Sequence, residues 1–348
     1  MSLQVTMPDH RVVVIGASAG GVSALKTLVE LLPEDFPAAI CVVLHVPAGH
    51  PSKLPEIMNR ARTLPAAHAA DGERIRAGRI YVAPPDHQLL VSDGFLRVVR
   101  GPRENRQRPA IDPLFRSAAG AYGPRAIGVI LTGALDDGTI GLKEIKQGGI
   151  ALVQDPKEAE TDSMPRSAME HVQVDFCLPL ASLATMLVEL VRQPLPAMPT
   201  GQPPQRLEFE VEADEFLPSA LADDARRPGK LSGLTCPECH GPLWEIEDGE
   251  LIRYRCRVGH AYSQQTIMIE QALAVERALW SGLRALEENA TLSRRLAKRA
   301  ADQHAMHSAQ RFTERAEEIE SQAETLRHTL QSWELPSEAI LDDPVEEE

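Results

Sequence analysis

Short runs of apolar, often β-branched residues alternate with helical patterns over residues 11–192, and this alternation constrains the fold more than any other feature of the sequence. Strands are predicted at residues 12–15, 39–45, 79–83, 89–91, 96–99, 126–132 and 150–153. Helices are predicted at residues 22–32, 112–121 and 138–147, with Asp112 as the N-cap of the second helix. Because strands that alternate with helices form βαβ units, the pattern predicts an α/β fold around a mainly parallel, doubly wound sheet.

The rest of the chain falls into segments of different composition. A proline-rich and then acidic stretch is followed by closely spaced cysteines, a long run rich in Ala, Leu, Glu and Arg, and an acidic end. A chain of 348 residues is also longer than one compact core usually spans. We therefore predict an α/β domain at residues 8–193, a linker at 194–231, a cysteine module at 232–262, a helical or coiled-coil region at 263–334 and an acidic tail at 335–348.

Charge and hydropathy exclude several functions. The formal net charge of −14 argues against nucleic acid as a partner, because nonspecific binding of nucleic acid needs a basic face. No apolar stretch is long enough to span a bilayer, and residues 1–10 lack the apolar core of a signal peptide. We therefore expect no membrane insertion and a cytoplasmic location.

The turn after the first predicted strand reads Gly-Ala-Ser-Ala-Gly-Gly at residues 16–21 and leads into a helix. Three interpretations fit: a dinucleotide-binding turn, a nucleophile at Ser18, or a tight turn whose serine caps the helix. A nucleotide site usually has an acidic residue at the end of the second strand to hold the ribose. Here that strand ends at His45 and the next acid is Glu56, which favours the nucleophile.

Side chains suited to one reaction follow three of the predicted strands. Ser18, His45 and the pair Asp136 and Asp137 come after strands, so we expect them at one edge of the sheet. Serine, histidine and aspartate are the nucleophile, the general base and the orienting acid of a catalytic triad. Taken singly, His45 could be an ordinary strand-end histidine, and either aspartate a turn or helix cap.

Several blocks of sequence in the α/β part form a recognisable series. They are GASAGG at 16–21, LHVP at 44–47, YVAPP at 81–85, RPAIDPLF at 108–115, LTG at 131–133 with Asp137-Gly138, and MPR at 164–166. In kind and order they resemble the catalytic domain of CheB-type chemotaxis protein-glutamate methylesterases over residues 11–192. The resemblance implies a Rossmann-like hydrolase fold with Ser18 as nucleophile, His45 as base and Asp137, rather than Asp136, as acid.

The resemblance also implies an activity. The chain is expected to hydrolyse glutamate 5-O-methyl esters on the cytoplasmic helices of methyl-accepting chemotaxis receptors, without a catalytic cofactor. Backbone N–H groups near Ala19 are candidates for the oxyanion hole. Deamidation of glutamine, an acyl transfer at the same carbonyl, is expected as a second activity, and a methyltransferase or another chemosensory protein as a further partner.

The sequence departs from the family pattern in three places. The family often has threonine after the serine, where this chain has Ala19, and often Gly-Met-Gly before the acid, where this chain has Gly133, Ala134 and Leu135. These positions line the site, so rate or substrate choice is expected to differ. Family members usually begin with a receiver domain, whereas the first predicted strand here starts after ten residues, so control by such a domain is not expected.

The cysteine module carries a pattern typical of metal binding. Cys236 and Cys239 form a C-x-x-C pair, and Cys256 and His260 follow with C-x-x-x-H spacing. This Cys₃His set suits a closed, tetrahedral and structural zinc site in a zinc-ribbon-like module. His240 is a less well placed substitute ligand, and a cluster of reduced thiols on a loop is the alternative without metal.

Two apolar heptad seams run through the helical region. They comprise Leu279, Leu283, Leu286, Ala290 and Ala297, and then Phe312, Ala316, Ile319, Ala323, Leu326, Leu330 and Trp333. Because the seams are out of phase, a helical hairpin and one continuous rod both remain open. A homodimer through this tail and docking to a receptor or signalling partner also remain open.

Two other functions are consistent with the residues. A hydrolase fold with weak or no activity would act as an adaptor in a chemosensory pathway, through its metal module and helices. A nucleotide-dependent oxidoreductase would use the glycine turn, although His45 at the ribose position argues against it.

Overall fold

The computed structural model describes residues 9–46, 51–61, 63–198, 204–217 and 228–333. Pro47, parts of the predicted linker and the predicted acidic tail lie outside these residues. The chain divides into two compact units, one ending at Thr266 and the other beginning at Ile267. No helix in the described ranges is long and apolar enough to cross a membrane.

The first unit is built on a parallel sheet of seven strands. The strands before the linker are β1 Arg11–Ala17, β2 Ala38–Leu44, β3 Ala66–His68, β4 Arg79–Val82, β5 Gln88–Ser92, β6 Phe95–Val99, β7 Ala126–Ile130, β8 Ile150–Gln154 and β9 Phe176–Leu178. The sheet order is β3-β4-β2-β1-β7-β8-β9, and every neighbouring pair is parallel. Strands β5 and β6 instead pair with each other as a separate antiparallel hairpin. The predicted α/β fold with a mainly parallel sheet is confirmed.

Helices cover both faces of this sheet. They are α1 Gly21–Glu30, α2 Leu54–Asn59, α3 Ile111–Tyr122, α4 Thr139–Lys146, α5 Ser163–His171 and α6 Leu180–Arg192. Side chains alternate between the faces of a strand, so Val13 and Ile15 of β1 pack with α1, α2 and α6, whereas Val12 and Val14 pack with α3, α4 and α5. Burial on both faces explains why β1 reads as an unbroken apolar run.

The start of α3 differs from the sequence-based prediction. The helix begins at Ile111, and its N-cap residue is Ala110 rather than Asp112. Asp112 lies in the first turn, is fully buried, and accepts a hydrogen bond of 2.7 Å from the Gly141 N–H of helix α4. Its carboxylate therefore bonds to a neighbouring helix, a long-range contact that local spacing does not reveal.

The predicted linker contains a helix, α7 Gln205–Asp214, so residues 194–231 are not a linker throughout. Its apolar side chains Leu207, Phe209 and Ala213 are buried. The stretch looks like an acidic linker in sequence because its buried acids, Glu210 and Asp214, pair with arginines far away along the chain.

The cysteine module forms a four-stranded antiparallel sheet. Its strands are β10 Lys230–Thr235, β11 Pro242–Asp248, β12 Leu251–Cys256 and β13 Ala261–Ser263, in that order across the sheet. The turn between β11 and β12 contains Gly249 with a φ of 67°, a conformation that glycine adopts without a steric penalty. The turn joins β11 and β12 into a β-hairpin.

A buried ion network joins the module and α7 to the α/β part. It consists of three arginines and three carboxylates, Arg116, Arg253, Arg255, Glu104, Glu210 and Asp214, so its formal charges balance. Arg116 of α3, with 1% of its side chain exposed, donates to both Glu104 and Asp214. Charges this deeply buried are retained only when they are paired, so the network requires the three parts to be docked.

The helical region forms a hairpin of α8 Gln264–Asp302 and α9 Met306–Gln331. Within the second unit, Leu283 packs with Ala323 and Leu330. Arg294 pairs with Glu320, and Arg327 with Glu287, which shows that the two helices run antiparallel. Of the two open arrangements, the hairpin is the one observed.

Candidate active site and metal centre

The ends of three adjacent strands bring the predicted catalytic residues to one edge of the sheet. Strand β1 lies between β2 and β7, and Ser18, His45 and Asp137 follow β1, β2 and β7. Two backbone hydrogen bonds continue the ladder past the strands: His45 N–H to Ala17 O at 3.1 Å, and Ser18 N–H to Thr132 O at 3.0 Å. The site thus lies where the strand order reverses, which is the usual ligand site of open α/β sheets.

His45 and Asp137 contact each other directly. The Nε2 atom of His45 lies 2.7 Å from Oδ2 of Asp137, and only 9% and 3% of the two side chains are exposed. Burial raises the pKa of Asp137, but hydrogen bonds from His45, the Ile111 N–H and Asn105 outweigh it and hold the pKa below its usual range. Asp137 is therefore an anion that can orient the imidazole and stabilise its protonated form.

The start of helix α3 supplies further donors to Asp137. The Ile111 N–H donates to Oδ2 at 2.8 Å, and the Asp112 N–H points to Oδ1 at 3.4 Å. Free N–H groups and the positive end of the helix dipole both favour an anion at this place. Asp137 therefore accepts hydrogen bonds from the free N–H groups at the start of α3, which is the capping role that the sequence-based prediction gave to Asp112.

Asp136 has a different environment, although it directly precedes Asp137. Its Oδ1 accepts a hydrogen bond of 2.9 Å from the Ser263 hydroxyl of strand β13. Burial raises the pKa of Asp136 to about 6, and the bond from Ser263 opposes this only in part. Of the two aspartates, Asp137 is the one that contacts His45.

Thr132 and Gly133, which follow β7, constrain the turn that carries Ser18. The Thr132 hydroxyl donates to the carbonyl oxygen of Ala19 at 2.9 Å. A Cβ at Gly133 would lie 2.1 Å from Met164 Sδ and 2.8 Å from Ser18 Cβ, so a larger residue would displace the serine. Ser18 itself is half-buried, and Ala19 is exposed just before α1 begins.

Leu135 is one of the departures from the family pattern, and its backbone explains why glycine is common there. Its φ is 64°, in the left-handed region that favours glycine. For a leucine this costs about 1–2 kcal/mol. The conformation is held by the Leu135 N–H, which donates to the Ser163 hydroxyl at 3.0 Å.

Asn105 belongs to the site but was not predicted from the sequence. Its Nδ2 donates to Asp137 Oδ1 at 3.1 Å and to Asp112 Oδ2 at 3.2 Å. It lies in the loop before α3, 32 positions from Asp137, so no local periodicity points to it. Its place three residues before the block at 108–115 is the one sequence signal that could have drawn attention to this loop.

The four predicted metal ligands lie together in the module. The Sγ atoms of Cys236, Cys239 and Cys256 and a ring nitrogen of His260 all lie within 4.8 Å of one another. The Cys239 and Cys256 sulfurs are 3.6 Å apart, and Cys236 Sγ is 3.8 Å from His260 Nδ1. Tetrahedral zinc with Zn–S bonds of about 2.3 Å separates its ligands by about 3.8 Å, so this donor set fits the ion.

A carboxylate orients the histidine of this set. The Nε2 atom of His260 lies 3.3 Å from Glu238 Oε2, while Nδ1 faces the sulfurs. Metal-binding histidines usually make such a bond with the nitrogen that does not bind the metal. His240 is exposed and stands outside the cluster.

The fold and the edge of the sheet place the first unit in the class of doubly wound α/β proteins with a polar site at the strand switch point. Comparison with known proteins then gives the family. The CheB methylesterase profile matches residues 13–187, which is half of the chain. The chain therefore belongs to the CheB methylesterase family, and it is a hydrolase. This assignment leaves no support for the nucleotide-binding interpretation of the glycine turn.

Individual relatives agree with the family. A Leptospira interrogans protein is 42% identical over 184 residues, covering 52% of this chain and 95% of the relative. A Hydrogenovibrio crunogenus protein is 36% identical over 191 residues, covering 53% of this chain and 50% of the relative. Both names give the activities protein-glutamate methylesterase and protein-glutamine glutaminase. The chain thus spans about half the length of the second relative and nearly all of the first.

A solved structure matches the same region. The crystal structure of the Thermotoga maritima CheB methylesterase catalytic domain is 35% identical and has a TM-score of 0.51. It covers 53% of this chain and 100% of the solved chain. The similarity therefore concerns the α/β part, and the remaining half of this chain lies beyond it.

Proposed function

We propose that this protein hydrolyses glutamate methyl esters on chemoreceptors, with Ser18 as nucleophile, His45 as general base and Asp137 as the orienting acid. The observation that carries the proposal is the 2.7 Å contact between His45 and the buried Asp137, at the sheet edge where Ser18 leaves β1. The substrate class comes from the names of relatives that share this domain.

The geometry supports an acyl-transfer sequence. Asp137 binds Nε2 of His45, so the other ring nitrogen, Nδ1, accepts the proton of the Ser18 hydroxyl as its oxygen attacks the ester carbonyl. The proton passes to the leaving methoxide, methanol departs, and a glutamyl ester of Ser18 remains. Water then attacks this ester with His45 again as base, which releases glutamate and restores Ser18.

Stabilisation of the tetrahedral intermediate falls to the backbone at the start of α1. Ala19 lies two residues before this helix, and the Thr132 hydroxyl bound to its carbonyl fixes the peptide that joins Ala19 to the N-cap Gly20. N–H groups at a helix start are suited to a developing oxyanion. The family's threonine hydroxyl is missing at position 19, so the backbone contribution is expected to dominate.

The same site supports glutamine deamidation. An amide differs from a methyl ester in its leaving group, and His45 can protonate the departing ammonia as it protonates methanol. Relatives carry both activities in their names. Neither reaction uses a catalytic cofactor in this scheme.

For the module we propose a structural zinc held by Cys236, Cys239, Cys256 and His260. Their mutual distances and the Glu238 contact to His260 support this choice. Four protein ligands leave no open position for a substrate, so zinc would stabilise the module rather than take part in the reaction. Metal content of the purified chain, measured with Cys239→Ser alongside, tests this assignment.

The test of the function is methanol release from methylated cytoplasmic receptor fragments. The intact chain should release methanol, and Ser18→Ala should abolish release while Ser182→Ala, at an exposed serine of α6, should leave it unchanged. Glutamate at the former ester site, seen by mass spectrometry, should appear in step with methanol. A folded wild-type protein that releases none would favour the adaptor function instead.

A further inference from the structure

Strand β13 of the cysteine module pairs with the loop before α3. The Ala261 N–H donates to Arg103 O at 3.2 Å, and the Asn105 N–H donates to Ala261 O at 2.9 Å. The Ser263 N–H donates to the side-chain oxygen of Asn105 at 2.8 Å. The module sheet is thus extended by a loop of the α/β part, and both the backbone and the side chain of Asn105 bind β13.

The other end of the Asn105 side chain faces the proposed catalytic acid. Its Oδ1 is bound by Ser263, which fixes the amide so that Nδ2 donates to Asp137 at 3.1 Å. Asn105 has a φ of 48°, and 4% of it is exposed, so it has little freedom to turn. One buried amide therefore links the module to the group that orients His45.

On its other side, β13 is bound to the metal ligands. His260 directly precedes Ala261, and the Tyr262 hydroxyl lies 3.3 Å from Cys236 Sγ. The ladder with β12 continues through Arg255, which joins the buried ion network to Glu104 beside Asn105. Loss of the metal would remove the ligand bonds that hold this strand in place.

We infer that Asn105 is a positioning residue for Asp137, and that the metal-loaded module holds Asn105 in its working orientation. This inference rests on the proposed function, because it assigns a regulator to the same site. The module is then a functional part of the esterase. Esterase turnover should therefore depend on metal occupancy, although no metal ligand touches the substrate. The hydrogen bond from Ser263 to Asp136 adds a second contact, between β13 and the loop after β7 that carries Asp137.

The test uses the full chain with and without zinc. Asn105→Ala in the zinc-loaded protein should lower kcat, and the rate at which a fluorophosphonate labels Ser18, about tenfold with KM little changed, because one donor to a charged group is lost. Removing zinc from the wild type should lower the labelling rate by a similar factor. Removing zinc from Asn105→Ala should add little, because both changes remove the same contact.

A second readout does not depend on the reactivity of Ser18. The downfield proton of the His45–Asp137 hydrogen bond, followed by NMR, should shift on zinc removal in the wild type and shift much less in Asn105→Ala. Resistance of residues 11–44 to limited proteolysis controls for unfolding of the α/β part, and Ser182→Ala serves as the matched variant.

Several outcomes would overturn the inference. They are equal losses on zinc removal in both proteins, no loss in either, or wild-type reactivity of zinc-loaded Asn105→Ala. An NMR signal that is indifferent to zinc would also overturn it. If the zinc-loaded wild type is not labelled at all, the proposed function fails, and the NMR comparison still decides whether the module positions Asp137.

Discussion

The α/β part and the cysteine module reach stability by different means. Strand β1 and its neighbour β2 are buried along their whole length, and apolar side chains fill both faces of the sheet. The module has four short strands, and its interior contains the cysteine cluster and buried ion pairs beside a few apolar side chains. A large apolar core stabilises itself, whereas a small module needs a metal and a docking partner.

The relatives support this distinction. Almost the whole of the Leptospira interrogans protein, 95% of it, is matched by the α/β part, so that relative has little beyond this part. The solved Thermotoga maritima catalytic domain is likewise covered completely by 53% of this chain, so the module is an addition to a domain that has a solved structure without it. In this chain the addition contacts the site through Asn105 and Asp136.

Removal of the metal should have the largest effect and should separate the two regions. Structural zinc contributes roughly 10 kcal/mol or more to folding in isolated zinc-finger peptides. A thiol-compatible chelator should therefore unfold the module and expose Trp244 of β11, while the α/β sheet remains. Limited proteolysis with mass spectrometry checks this: cuts should appear within residues 230–263 and be absent from 11–44. Equal resistance with and without chelator would show that the module is stable without metal.

Replacement of the proposed acid should have the next largest effect. Asp137→Asn leaves the shape of the site but removes the charge that orients His45, so kcat should fall by about 10³- to 10⁴-fold. Asp136→Asn, one residue away, should change kcat less than tenfold because Asp136 contacts Ser263 rather than His45. Methanol release by the two variants measures this difference. A larger loss of kcat in Asp136→Asn than in Asp137→Asn would identify Asp136 as the acid.

The docking of the module can be broken at the ion network. Arg116→Met leaves Glu104 and Asp214 buried with one partner fewer, and breaking such a pair costs about 3–5 kcal/mol. Urea unfolding followed by far-UV circular dichroism should show a lower midpoint for the first unit. Arg294→Met breaks an exposed ion pair of the hairpin and should leave the urea midpoint of the hairpin unchanged. Similar shifts in both variants would mean that burial of the network is unimportant.

The smallest predicted effect concerns pH. Burial raises the pKa of Asp136 in the folded protein to about 6, from an ordinary value of 3.8. Between these two values the folded state holds a proton that the unfolded state has lost, so stability falls as pH rises from about 4 to about 6. The loss should be at most roughly 3 kcal/mol. The difference in unfolding free energy between the wild type and Asp136→Asn, measured at both ends of this range, should show it; a constant difference would contradict it.

Sequence patterns predict the structure best where an element or site depends on residues that are neighbours in the chain. The buried runs of β1 and β2 are long and apolar, and Ser18 and His45 directly follow them, so a strand assignment alone places both residues. The C-x-x-C spacing of Cys236 and Cys239 is likewise a local pattern that by itself indicates a metal site.

The remainder depends on contacts between distant parts of the chain. Asn105 acquires its role from Asp137 and from Ser263, which lies 158 positions away. Helix α7 reads as a linker because its acids find their arginines only in the folded protein. The local sequence predicts Asp112 as a helix cap, whereas tertiary packing places its carboxylate against α4. Such pairs have no local pattern, so the sequence alone could not predict them.

Labelling of the intact chain with a fluorophosphonate, followed by peptide mass spectrometry, tests the central claim most directly. The account predicts one phosphonyl group per chain on Ser18, at a rate that falls at least a hundredfold in His45→Ala, because the general base activates the serine. Absence of labelling in a folded, zinc-loaded protein, or labelling of another serine with Ser18 unmodified, would contradict it.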